Sequence, residues 1–295
     1  MDEIVYHETP NLNRPFLIAG FEGWPNAAEV SSFSLQHLLE NLKAKRFASI
    51  PTENFCQMSL NRPTAFIKDG RLIELNLPGN YFYYSREPGG KDLILFLGVE
   101  PHYRWNLFVK LFLNLAQEFD VPQIFTVGGT YDYIPHTYPT VVSALFNRED
   151  LREEVLEAGL NLTEYAGPIS IHTFLLEAAR KRGLKAVSLW GHAPQYLQAR
   201  NIKVAYGVLK KLNALMKTGI DLSTLKSASD SFDQQVNNLI QQDPKLQEVI
   251  EKLEETYRKS EDLFPFGKRE EPKEDNVIYI QAFLKRQEDE EKREN

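Results

Sequence analysis

Four short apolar runs in this chain carry no alternation of polar and apolar residues: residues 16–20, 92–99 with a Leu-Ile-Leu-Phe-Leu core, 123–127 and 185–190. A strand wetted on one face alternates, whereas a strand covered on both faces does not. Each run is short enough to be a strand and is bounded by turn residues, such as Pro15 before the first and Gly128-Gly129 after the third. Helical segments stand between them. One is opened by Asn26 with Glu29 three residues on, the capping-box spacing; one covers about 102–119; one covers about 171–182 and is stopped by Gly183. Parallel neighbours require a long crossover, usually a helix, so the alternation predicts an α/β fold with a largely parallel sheet and helices on both faces.

The texture changes twice. Between residues 46 and 87 short aromatic and β-branched runs are broken by Pro, Asn and Gly, and Asp69-Gly70 is a hairpin signal, so an antiparallel insertion is expected. Beyond about residue 220 the pattern is helical. Asp243-Pro244 opens a helix whose Leu246, Val249, Ile250, Leu253 and Tyr257 share a face, with Glu248/Lys252 and Glu254/Arg258 at i,i+4. The expected organisation is an α/β core over residues 1–220, helices packed on it over 221–264, and a charged linker and tail with one apolar patch over 265–295.

Composition narrows the function classes. The formal charge of -7, from 34 basic and 41 acidic residues, offers no basic face for nucleic acid. Cys56 is the only cysteine, which excludes an internal disulfide and a thiolate metal site and favours a reducing compartment. The opening residues lack the pattern of a secretion signal, and no apolar run approaches the ~20 residues that span a bilayer. The expectation is a cytoplasmic protein with no membrane contact, no metal and no cofactor.

The common mechanistic motifs are missing: no phosphate loop, no G-x-G-x-x-G, no G-x-S-x-G elbow and no H-E-x-x-H. Polar residues instead gather after the inferred parallel strands, where open α/β sheets bind ligands. In Gly20-Phe21-Glu22-Gly23-Trp24 the glycines permit close backbone approach and Glu22 offers a carboxylate; equally, Gly20 and Gly23 shape a turn beneath Trp24. In Glu100-Pro101-His102-Tyr103-Arg104, Glu100 is a base candidate or a helix-start carboxylate satisfied by the dipole. The string from Gly128 to Pro139 holds Gly129, Thr130, Asp132, His136 and Thr137 in what reads as one loop, and His192 follows the last strand. Each histidine is either a reactive group or a hydrogen-bonded structural one.

In this order the strings Gly20-Phe21-Glu22-Gly23-Trp24, Leu97-Gly98-Val99-Glu100-Pro101 with Trp105, Gly128-Gly129 with Ile134-Pro135-His136-Thr137, Tyr165-Ala166-Gly167-Pro168 and Leu189-Trp190-Gly191-His192-Ala193-Pro194-Gln195-Tyr196 resemble the PAC2 (proteasome assembly chaperone 2-like) family, over about residues 16–264. The resemblance implies a fold similar to purine nucleoside phosphorylases, self-association, often as trimers in the prokaryotic branch, and binding or assembly with a protein partner rather than established catalysis. The alternative it implies is a nucleosidase, phosphorylase or other small-molecule hydrolase. There Glu22, Glu100, Asp132 and His136 would be the catalytic candidates, and Gly20, Gly23, Gly128, Gly129, Thr130, Thr137 and His192 would contact the ligand. The chain departs from the family pattern at Asn26, Tyr138 and Gln195, where relatives often carry Asp, Arg and His. Loss of that Arg removes a bidentate anion donor. The chain ends Lys292-Arg293-Glu294-Asn295, so docking on proteasome rings through a carboxy-terminal hydrophobic-Tyr-X motif is not expected.

Overall fold

In this computed structural model, which describes residues 4–86 and 91–263, the elements are β1 (Val5–Tyr6), β2 (Phe16–Glu22), α1 (Val30–Asn41), β3 (Lys45–Ile50), β4 (Thr64–Lys68), β5 (Arg71–Asn76), β6 (Asn80–Ser85), β7 (Leu93–Val99), α2 (Trp105–Glu118), β8 (Gln123–Asp132), β9 (Val142–Phe146), α3 (Arg152–Glu157), β10 (Asn161–Leu162), α4 (Ile171–Lys181), β11 (Lys185–Pro194), α5 (Ile202–Met216), α6 (Ser223–Gln242) and α7 (Pro244–Leu263). The four unalternating runs become β2, β7, β8 and β11. They lie side by side in the order β7-β2-β8-β11, all parallel, at the middle of a nine-stranded sheet, β1-β3-β6-β7-β2-β8-β11-β9-β10. Outside them the sheet turns antiparallel, through β6, β3 and β1 on one side and β9 on the other. Parallel pairing is thus concentrated where both faces are covered.

Helices α2 and α4 cover one face and α1 and α5 the other. Under α2 and α4 lie Phe21, Phe47, Phe82 and Phe96, met by Phe108 and Phe112 of α2, all fully buried. Phe96 is the hub: its ring centroid is 4.7 Å from that of Phe82, 5.2 Å from Phe21 and 5.2 Å from Phe112. The opposite face packs Ile18, Leu35, Phe125, Val127, Leu189, Val208 and Leu212. Cys56 is buried, and burial pushes its thiol up to about 11, so it behaves as a small hydrophobe.

Several local expectations shift. Asn26 does not open α1: residues Ala27–Glu29 form a 3-10 turn with positive φ at Ala28 (51°) and Glu29 (54°), and the helix starts at Val30. Asn26 still acts from outside, its Oδ1 accepting from the Ser32 amide at 3.0 Å. Helix α2 likewise starts later than expected, at Trp105. The string expected as one loop after Gly128 is strand as far as Asp132, and β11 runs past Trp190 to Pro194. The two strands pair without a break from Gln123/Lys185 to Asp132/Pro194, and this pairing overrides the low strand preference of Gly128 and Gly129.

The expected hairpin is present, but it stands outside the main sheet. Strands β4 and β5 form their own two-stranded ribbon, turned by Asp69 and Gly70 at φ 51° and 73°, the consecutive positive angles of a tight hairpin turn. At the other end of the chain α6 lies on α5 and α7 on α6, around Tyr196, Leu197, Phe232, Val236, Ile240, Leu246 and Ile250. Glu248 pairs with Lys252 at 2.6 Å as its spacing predicts. Among the described residues no helix is long and apolar enough to cross a membrane. The expected tail, residues 265–295, lies outside the described residues.

Truncating the ring hub, Phe96→Ala, is expected to lower unfolding free energy by about 3–5 kcal/mol, with Phe96→Leu losing markedly less. Urea titrations of the two variants check this.

Candidate functional site at the carboxyl ends of the parallel strands

Strands β2 and β7 end together, and the Glu100 amide donates to the Glu22 carbonyl at 2.8 Å. The chain then turns at Gly23, whose φ of 109° suits glycine, and a side chain there would meet Glu100 Cβ at 3.1 Å. Glu100 fixes this corner: its carboxylate accepts from the Trp24 amide at 3.3 Å and from the Ile171 amide at 2.9 Å, tying the turn to the first residue of α4. Burial raises its carboxyl pKa, while those two amides and His102 pull it back. Glu100 therefore complements the amino end of a helix, but of α4 rather than α2. Burial, with help from Glu29, also raises the Glu22 carboxyl. His102 turns away toward the segment before β4, where Nδ1 accepts from the Gln57 amide at 3.0 Å.

The glycines of β8 admit the protein's own groups. A Cβ on Gly129 would sit 2.4 Å from the Ala27 carbonyl oxygen, and the Gly129 amide donates to the Pro25 carbonyl at 2.9 Å. On the opposite face a Cβ on Gly128 would meet the Trp190 and His172 rings at 3.0 and 3.1 Å. Gly20 makes room for Leu35 of α1. Trp190 stands edge-on to Trp24, with centroids 6.4 Å apart, and lies 5.1 Å from the His172 ring. Both His172 Nε2 and Trp190 Nε1 are buried with no hydrogen-bond partner among the described residues. Burial drives the His172 pKa down to about 3, so its imidazole is neutral at pH 7.

On that same face β8, β11 and β9 bring Asp132, His192 and Ser143 into a line. His192 Nδ1 is 2.9 Å from Asp132 Oδ2, and its Nε2 is 2.8 Å from Ser143 Oγ. The second oxygen of Asp132 accepts from the Tyr133 amide at 2.7 Å. Thr130, directly opposite His192 in register, stands beside the line. Ser143 was invisible in the sequence because it lies in an unremarkable strand and reaches His192 only by antiparallel pairing of β9 with β11.

His136 and Thr137 serve a different contact. His136 is buried, with Nδ1 2.6 Å from the Tyr196 hydroxyl and Nε2 3.1 Å from Asn237 Oδ1 of α6. Burial lowers its pKa. Lys203 bonds the His136 carbonyl and pairs with Asp233 at 2.8 Å, while Thr137 bonds Glu254 of α7. Tyr138 packs on Tyr257 at 5.0 Å between centroids and hydrogen-bonds Arg258. Tyr138 thus docks α7. A cavity between His136 and His192 measures about 10 Å³, room for roughly one water. A cavity of about 930 Å³ at the opposite, amino ends of the strands touches none of these residues.

The candidates therefore separate. Gly23 and Glu100 hold the β2 turn; Gly128, Thr130, Asp132 and His192 share one face of β8 and β11; His136 and Thr137 bind the C-terminal helices. Among the described residues no group of three or more His, Cys, Asp or Glu side chains is placed to hold a metal ion.

A family model described as the PAC2 family matches residues 20–240. A PAC2 family protein from Streptomyces avermitilis is similar at 31% identity and a TM-score of 0.69, over 76% of this chain and 95% of that one. A Mycobacterium tuberculosis proteasome-assembly chaperone homologue is 27% identical with a TM-score of 0.71, over 79% of this chain and 98% of that one. Another M. tuberculosis protein, of unknown function, shares the fold at 22% identity and a TM-score of 0.82, over 90% and 91% of the two chains. No curated protein is similar to the chain.

Two outcomes are expected here. Between pH 6.5 and about 3 the unfolded chain protonates His172 and the folded chain does not. Stability therefore falls as pH falls through that window, by about 1.4 kcal/mol per pH unit from this group alone. His172→Phe should remove that share of the slope in urea titrations run from pH 7 to 5. Gly129→Ala should lose about 1–3 kcal/mol, because its Cβ meets backbone that cannot move aside cheaply; the same titration at pH 7 measures it.

Proposed function

The chain belongs to the PAC2 family, and on that footing we propose that it is a homo-oligomeric, chaperone-like binding or assembly protein that works in the cytoplasm through protein contacts. The observation that favours self-association is the ribbon of β4 and β5. By register, Ala65/Leu75 and Ile67/Leu72 share one face, and Thr64/Asn76, Phe66/Glu74 and Lys68/Arg71 share the other. Among the described residues nothing covers the apolar face: Ile67 is 62% exposed, Leu72 55% and Leu75 54%, with Leu77 beyond them at 58%. A two-stranded ribbon is marginal in water by itself and gains stability once its apolar face is covered. A second copy of the same chain is the cover present wherever this one folds, and closed symmetric association is the usual form of such self-contacts.

The family relationship supports assembly as the role. The residues at the strand ends fit the same view, since Glu100, Gly128, Gly129, His136 and Thr137 are each engaged with the protein's own groups. Trimers remain the expected number from the family resemblance, and a further protein partner would bind the assembled form.

Light scattering of the purified full-length chain is expected to give a multiple of the 34.0 kDa subunit mass. Ile67→Glu with Leu72→Glu is expected to return it to the single-subunit mass with an unchanged far-ultraviolet circular dichroism spectrum. A parent that elutes as a monomer at every concentration sinks self-association and leaves the ribbon to a different protein.

A further inference from the structure

Independently of self-association, the line Asp132–His192–Ser143 has the order and spacing of a nucleophile, a base and the carboxylate that orients the base. A carboxylate only accepts hydrogen bonds, so the proton on His192 sits on Nδ1, facing Asp132 Oδ2 at 2.9 Å. Nε2 is then the accepting nitrogen, and Ser143 Oγ donates to it at 2.8 Å. Asp132 is itself held, its other oxygen taking the Tyr133 amide at 2.7 Å. All three side chains stand on adjacent strands of one sheet, β8, β11 and β9, whose ladders fix their separation without loop motion. Such constellations are recognised by geometry and roles rather than by sequence order.

We propose that Ser143 is an acyl-accepting nucleophile with His192 as its general base and Asp132 as the residue that positions His192, acting on short, uncharged carboxylic esters or thioesters. The size limit follows from access: Ser143 is 8% exposed, whereas the His192 and Asp132 side chains are 20% and 24% exposed. The lack of charge follows from the neighbours, the Trp190 ring across from Ser143 and the Thr130 hydroxyl across from His192, with the Asp132 carboxylate disfavouring an anion. In the reaction Ser143 Oγ bonds to the acyl carbon as its proton passes to His192 Nε2. The bond to the leaving oxygen or sulfur then breaks, and the imidazolium returns the proton to that departing atom. Water repeats the sequence on the acyl-serine, releasing the acid and restoring Ser143. General-base assistance of this kind is worth about 10²–10⁴-fold.

The test uses the full-length protein and a small alkyl fluorophosphonate, with intact-mass and peptide-mapping mass spectrometry. The phosphorus bonds to Ser143 Oγ, fluoride leaves, and the serine proton goes to His192. Expected is one adduct per chain, on Ser143, absent in Ser143→Ala and forming at least ~100-fold more slowly in His192→Gln. Asp132→Asn is expected to slow labelling and to displace its pH–rate curve from that of the parent, a change that loss of packing alone would not produce. Absence of a Ser143 adduct in the folded parent overturns the assignment without any variant. So does a labelling rate in His192→Gln equal to the parent's, with melting curves showing that this variant is folded.

Discussion

The unbroken pairing of β8 with β11 is the contact on which the rest of the molecule depends. Ten consecutive residue pairs join the two strands, from Gln123/Lys185 to Asp132/Pro194. On one face that register sets Trp190 over Gly128 and puts His192 beside Thr130 and within reach of Asp132. On the other face Gly129 and Gly191 leave the space into which α1 and α5 press, since a Cβ on Gly191 would lie 2.6 Å from Val204 and Val208. A slip of one residue would turn every side chain to the wrong face, and with both faces packed no such slip is tolerable.

The turn from β2 into α1 shows how that packing sustains an unfavourable backbone. Ala28 and Glu29 both hold positive φ, which costs a residue with a Cβ about 1–2 kcal/mol. The surroundings over-determine the turn. The Tyr131 hydroxyl meets the Ala28 amide at 3.1 Å, the Asn201 amide donates to the Ala28 carbonyl at 2.9 Å, and Arg200 pairs with Glu29 at 2.7 Å. These partners come from β8 and from the approach to α5, so the turn is closed by the same elements that build the strand-end face.

His136 and His192 are equivalent to the eye in the sequence, each following a buried run and each beside prolines. Their partners separate them. His136 has a tyrosine hydroxyl and an amide oxygen on its two nitrogens and lies between the core and the C-terminal helices, where a neutral ring completes a joint. His192 has a carboxylate on one nitrogen and a hydroxyl on the other, an arrangement that polarises both. The first arrangement fastens α6, while the second has the parts of a proton-transfer chain.

The chain's own residues determined the α/β class and the four central strands, because an apolar run without alternation has no stable place except between two covered faces. They also determined the Asp69-Gly70 turn, since consecutive positive φ angles select those residue types, and the opening of α7 at Pro244. Tertiary structure alone decided where β8 and β11 stop, since strand pairing across about 60 residues of sequence outweighs local preference. It alone brought Ser143 to His192, sent Glu100 to the head of α4 and gave His136, Thr137 and Tyr138 to the C-terminal helices. Those are contacts between segments distant in the chain, and local periodicity records which face of an element is covered but not which residue covers it.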